Sequence, residues 1–334
     1  MRYAVTIFVI TLIFLSNAWR VDAFSGEKKW KDSSNLNDLT LSLISRRSDR
    51  CVMVSGRKSV VGNFFVDICL DSQSYKQLNS IGYVHDLQFL DESKGWMILS
   101  GSIVQIKDFK LLADVIPDAQ NTGYRKLFFT NDMHGCAVGY EGSVICTENG
   151  GRNWSRSVVA KEFNLREVEF SSRSKGWIVG ADFERQGNSM ILLRTTNGGR
   201  TWSRVNQKAE QEIERLEFLS ANDGWATRRD NVFMITSNGG LSWIPTPYRF
   251  ANIKDVYFTN KLVGWLLDNQ IFETRDGGCS WKLVREFPKT TSPFDFDQIV
   301  MLNDRDGFLM SLDQVVRTTD GGLTWSPVDL MPEN

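Results

Sequence analysis

The chain has 334 residues, 42% of them hydrophobic and 24% charged, a globular composition that excludes a disordered tract, a collagen-like chain and a polytopic membrane protein. Thirty-nine Lys and Arg against 40 Asp and Glu leave a formal charge of −1, so no global basic field exists to hold nucleic acid. Two histidines, five scattered cysteines and the absence of CxxC or HxxxH spacing argue against a metal centre, and no cofactor is expected.

Met1 to Tyr3 supplies a positive start, Ala4 to Leu15 is an apolar run, and Val21-Asp22-Ala23 sets small or aliphatic residues before a cut at Phe24. Residues 1–23 therefore read as a secretory signal peptide, too short in its apolar part to span a bilayer, and residues 24–35 as a linker. The first cysteine, Cys51, lies far beyond the apolar run and offers no thiol for a lipid anchor. Export to a periplasm, a thylakoid lumen or the extracellular space is expected.

From Leu36 to about residue 330 the chain repeats. TENGGRNW (147–154), TTNGGRTW (195–202), TSNGGLSW (236–243), TRDGGCSW (274–281) and TTDGGLTW (318–325) are copies of one motif. Their tryptophans, Trp154, Trp202, Trp243, Trp281 and Trp325, lie 48, 41, 38 and 44 residues apart, the period of a propeller blade. Each copy follows two alternating apolar stretches separated by a Gly-aromatic step, such as LREVEF, KGWIVG and MILLRT in the fourth unit, and Asn/Asp-Gly-Gly signals a tight turn between strands. Two further units, CVMVSG with FFVDICLDSQSYKQL and HDLQFL with KGWMILSG, lack the closing motif. Seven units of four antiparallel strands predict an all-β, single seven-bladed β-propeller over 36–330.

Every motif position has a scaffold role: Asn149, Asn197, Asn238, Asp276 and Asp320 accept from turn amides, Gly-Gly permits positive φ, and Trp packs beneath the hairpin. Asn in three of the five copies lowers the charge that calcium prefers, so no metal is assigned. These motifs are Asp-boxes, also called BNR repeats, and with their Gly-Trp steps the chain resembles the photosystem II stability and assembly factor family. That resemblance implies a seven-bladed, non-enzymatic factor in the lumen or periplasm that docks onto a nascent membrane protein through a surface patch of arginines. Its partner would be a membrane protein or its assembly intermediate, and a monomer is expected.

The other reading is a glycan-binding or sialidase-like glycoside hydrolase propeller, with a glycan as ligand. A sialidase resembles its family through an Arg-Ile-Pro segment, which is missing here, and a two-propeller xyloglucanase exceeds 334 residues. Neither His85 nor His134 belongs to a nucleophile motif, so both read as surface or strand residues and no catalytic residue is nominated. Loops joining second to third strands, opposite the motif turns, nominate a binding surface: Arg57 and Lys58, Tyr140 and Glu141, Asp182, Glu184 and Arg185, Arg228 and Arg229, and Asp268. Arg228-Arg229 is the most concentrated positive point. A tip at Tyr140-Glu141-Gly142 sets Cys136 opposite Cys146, and Cys51 and Cys69 hold the corresponding places in the first unit, which predicts two cross-strand disulfides and leaves Cys279 unpaired. Cys136 also stands where Trp177, Trp225 and Trp265 stand in other units, so its small side chain needs a packing substitute.

Overall fold

The computed structural model describes residues 39–58, 62–77, 83–108, 110–116, 123–182, 189–205, 213–287 and 296–330. The expected signal peptide and linker lie outside the described residues, as do Glu184 and Arg185. Among the described residues, twenty-eight strands form seven sheets of four, each from consecutive antiparallel strands. The molecule is a seven-bladed β-propeller. Blade 1 starts at Leu39, and its first two strands are Leu39–Arg46 and Cys51–Lys58.

Burial follows from position in the blade. The first strands, among them Val84–Phe89, Tyr124–Phe129, Asn164–Phe170, Ile213–Phe218, Asp255–Phe258 and Gln298–Met301, touch their neighbours around the axis and close from the seventh blade onto the first. Second strands such as Gly176–Ala181 are buried along their whole length, which is why both faces carry apolar residues there without alternation. Fourth strands face water: Ser155–Val158 is exposed throughout.

The motif turns cement one blade to the next. Trp96, Trp177, Trp225 and Trp265, from the Gly-aromatic steps, are 0–4% exposed. A Cβ on Gly240 of the fifth-blade turn would lie 2.9 Å from the Trp177 indole of the fourth blade, so that glycine serves close approach as well as its φ of +78°. In the third blade the Cys136 and Cys146 sulfurs are bonded, and a Cβ on Gly199 of the next turn would lie 2.7 Å from Cys146 Sγ and 2.9 Å from Cys136 Sγ. The packing substitute for the missing tryptophan is the cystine itself. Cys51 and Cys69 are bonded across the second and third strands of blade 1, and Cys279 is an exposed free thiol.

Inside each motif the threonine hydroxyl organises the turn. Thr236 Oγ1 donates to Asn238 Oδ1 at 2.9 Å and accepts from the Gly240 amide at 3.0 Å, while Asn238 Oδ1 accepts from the Ser242 amide at 3.0 Å. The same three bonds recur around Thr147, Thr195, Thr274 and Thr318. Trp243, Trp281 and Trp325 are buried, whereas Trp154 and Trp202 are only partly so.

Candidate functional site: the channel and its mouth

Five of the seven first strands carry a register shift near their start, and the bulged residues are Ser42, His85, Arg125, Arg166 and Glu214. A bulge re-aims one side chain without disturbing the pairing beyond it, which suits the rim of a closed ring. The rim here is the face of the second-to-third-strand loops, opposite the motif turns.

On blades 1 to 3 the rim residues form an arc. The Arg57 guanidinium lies 5.8 Å above the Tyr83 ring, and both side chains are exposed. Two residues on, His85 meets Arg125, whose Nη1 lies 2.8 Å from Nδ1 and 2.6 Å from Nε2 of the ring. Burial and the Arg125 charge push the His85 imidazole down to about 4, so it is neutral at pH 7 and accepts from the arginine. Arg125 Nη2 donates to the Tyr140 hydroxyl at 2.5 Å while its guanidinium lies 4.5 Å over that ring. Gly123, with φ of +51°, lets the ring lie close: a Cβ there would be 2.5 Å from Tyr140 Cδ2. The Tyr140–Gly142 tip is a single 3-10 turn anchored on blade 4, with the Gly142 amide donating to Phe163 O at 2.7 Å.

Behind the mouth, the first strands are stitched through the channel. Asp86 Oδ2 accepts from the Leu127 amide of the next blade at 2.8 Å, Asp255 Oδ2 from Ile299 at 2.9 Å, and Gln298 Oε1 from Ile44 at 3.0 Å. Gln88 does the same for Phe129, accepting from its amide and donating to its carbonyl. Lys126 Nζ sits between Asp86, at 3.5 Å, and Glu167, at 3.8 Å, and these neighbours, Asp86 foremost, raise its pKa above the ordinary lysine value. Burial raises carboxyl groups here as well, which favours their neutral form: Asp255 is raised to about 6 and Glu217 to about 7, in each case by burial first.

The residues nominated from sequence are spread around the ring. Arg57 belongs to the arc and Lys58 ends the same strand, its side chain outside the described residues. Arg228 stands in blade 5 with its fork on Asp230, at 2.9 and 2.5 Å, and Arg229 is exposed beside it. These two groups are not brought together. Asp182 and Asp268 are buried, correcting their placement on a binding surface, and Asp268 accepts from the Ala251 amide at 2.8 Å, tying two loops. His134 is likewise no surface residue: it is 2% exposed and its Nε2 lies 2.9 Å from Gly198 O in the next blade's turn. Among the described residues the hydrogen-bond partners of these rings are Arg125 for His85 and Thr130 and Gly198 O for His134. Sequence reasoning missed Tyr83 and Arg125, because Tyr83 meets Arg57 of blade 1 and Arg125 meets His85 of blade 2, contacts between residues of different blades.

Comparison with known proteins fits this ring. The family model described as photosynthesis system II assembly factor YCF48 matches residues 25–184 and 247–333, most of the chain. The protein belongs to the YCF48 family. Over 168 residues it is 30% identical to the photosystem II assembly lipoprotein Ycf48 of a Picosynechococcus strain, a match that spans 46% of this chain and 48% of that one, about half of the relative's length. A solved structure of YCF48 bound to a D1 peptide superposes with a TM-score of 0.62 at 14% identity, covering 87% of this chain and 94% of that one. YCF48 from Cyanidioschyzon merolae gives 0.59 at 15% identity, covering 85% and 96%. A xyloglucanase from Xanthomonas campestris gives 0.57 at 11% identity, covering 88% and 61%, so the superpositions themselves speak to the fold.

Proposed function

We propose that this YCF48-family protein is an exported, non-catalytic docking factor for assembly of a membrane protein complex of the photosystem II type. The observation that carries the reading is the arc of Arg57, Tyr83, Arg125 and Tyr140 on the rim, where the exposed Arg57, Tyr83 and Tyr140, the last backed by half-buried Arg125, can meet carboxylates and peptide groups. Family membership supports an assembly role, and the YCF48 solved with a D1 peptide makes such a peptide the natural first ligand. Signal-like residues 1–23 support a lumenal or periplasmic site of action. The engagement of His85 with Arg125, and of His134 with Gly198, supports a binding rather than a hydrolytic role.

Binding of a D1 peptide to the purified protein, read by biolayer interferometry, tests it. Arg57→Glu and Tyr83→Ala should each weaken binding about tenfold, the arginine effect shrinking as salt rises. The double reversal Arg228→Glu, Arg229→Glu should weaken it less, because Arg228 already holds Asp230. Unchanged binding in both rim variants, or turnover of sialyl or aryl-glycoside substrates, would overturn the proposal.

A further inference from the structure

The inner strands carry more acid than the stitching between blades requires. Asp86 and Asp255 accept from backbone amides, and Glu167 shares Lys126 with Asp86. Arg215 stands 4.0 Å from Asp255 and donates to Lys254 O at 2.6 Å. Glu169 and Glu217, at matching positions of the fourth and fifth first strands, form no ion pair among the described residues. Glu169 is 8% exposed, and its Oε2, buried, has no hydrogen-bond partner.

Its surroundings are the channel. Burial raises the Glu169 carboxyl well above the ordinary range, followed by the charge of Glu217, with Lys126 opposing and Glu167 and Asp86 adding to the rise. A carboxylate set among carboxylates, with an oxygen left over, stays protonated or takes a cation. Water reaches the neighbourhood, for the side chains of Glu167, Asp255 and Lys126 are 23%, 28% and 32% exposed.

The spacing decides which cation. Among the described residues, Cys51, Asp67 and Cys69 are the group of three candidate ligands within 4.8 Å of one another, and two of those are joined as a cystine. Among the described residues no three channel carboxylates come that close to one another, short of the several oxygens at about 2–2.6 Å that a bare divalent ion takes. A multi-hydrogen head group that bridges separated carboxylates is a better fit, and Lys126 is an ammonium already so held between two of them.

We propose that the channel binds an organic cation, an ammonium or guanidinium group, between Glu169 and Glu217. Its source is either a free amine or a lysine or arginine side chain of a bound protein, and the chemistry of recognition is the same. Binding draws a proton from each raised carboxyl into the buffer, so uptake of the cation is accompanied by proton release. The site lies inside the ring and does not depend on the rim docking proposed above.

Calorimetry of the purified protein with agmatine, with a blocked Gly-Arg-Gly peptide and with calcium chloride, in two buffers of different ionisation heat, tests the assignment. Agmatine or the peptide should bind with proton release, and the tighter of the two identifies the source. Glu169→Gln and Glu217→Gln should each weaken binding about tenfold or more and reduce the released protons, while Leu241→Ser, at an exposed position of a motif turn, leaves both unchanged. The pair of Gln variants guards against one failing to fold, and melting temperature reports on each. No heat with either organic cation at about 10 mM, binding indifferent to both Gln variants, or calcium binding tighter than either amine would overturn the proposal.

Discussion

Glu217 is held protonated more firmly when folded than when unfolded, because burial raises its carboxyl from the ordinary glutamate value to about 7. Such a group weakens the fold once ionised: its cost is absent below about pH 4.3, grows as pH rises toward 7 and is fully present above that. Glu217→Gln should therefore stabilise the protein at pH 8, by about 2 kcal/mol with water in the channel screening part of the effect, and change little at pH 4.5. Thermal melts across that range check it, and an equal effect at both ends would refute the assignment. The cystine under Gly199 is a second residue-scale case. Replacing Cys136 and Cys146 by serine removes both a cross-link and the packing that stands in for a tryptophan, and should cost about 2–4 kcal/mol. Mass mapping of unreduced protein should find Cys136 linked to Cys146 and Cys51 to Cys69, with Cys279 open to a thiol reagent.

Among the elements, the motif turn was legible in the sequence because its parts are contiguous: threonine, Asx, two glycines and tryptophan fall within eight residues and recur five times. Its energetics differ between copies for reasons that the sequence hides. Trp243→Ala should cost about 3–5 kcal/mol, whereas Trp154→Ala should cost less, since Trp154 is only partly buried against Trp96 and Phe129. Thr236→Val should cost about 1–3 kcal/mol, leaving the buried Gly240 amide without its acceptor. Chemical denaturation of the three variants orders them, and equal losses for the two tryptophans would contradict the burial difference. The inner strands were far less legible. Equivalent channel positions hold Leu43, Asp86, Lys126, Glu167, Arg215, Asp255 and Gln298, so no residue type repeats strongly enough to announce a stitch between blades. The rim arc is assembled from Arg57, Tyr83, Arg125 and Tyr140, whose adjacency exists only once three blades are in place.

For the whole molecule, the sequence repeat implies a ring but not how the ring shuts. Blades 1 and 7 each contain their own four consecutive strands, so among the described residues closure rests on side-chain packing and isolated hydrogen bonds rather than on a shared sheet. Leu41, Ile44, Val54 and Phe64 pack with Val300, Phe308, Met310 and Leu330 across the seam. Five polar contacts reinforce them: the Leu41 amide to Leu312 O at 2.6 Å, the Ile44 amide to Gln298 Oε1 at 3.0 Å, Gln298 Nε2 to Ser42 O at 3.4 Å, Arg317 to Leu70 O at 3.0 Å and Gln73 to Asp329 O at 2.5 Å. Like every joint of this ring, the seam has no continuous strand pairing, so it opens before the blades themselves unravel, because isolated contacts are lost one at a time while a sheet ladder is lost cooperatively. Gln298→Leu removes the acceptor of the Ile44 amide, and an unpaired buried donor costs about 1–3 kcal/mol. Hydrogen exchange of that variant should speed up in the first strand of blade 1 and the first strand of blade 7, with the second strands of blades 4 and 5 unchanged. Uniform acceleration around the ring would mean that the seam is no weaker than any other joint and that closure is shared by all seven blades.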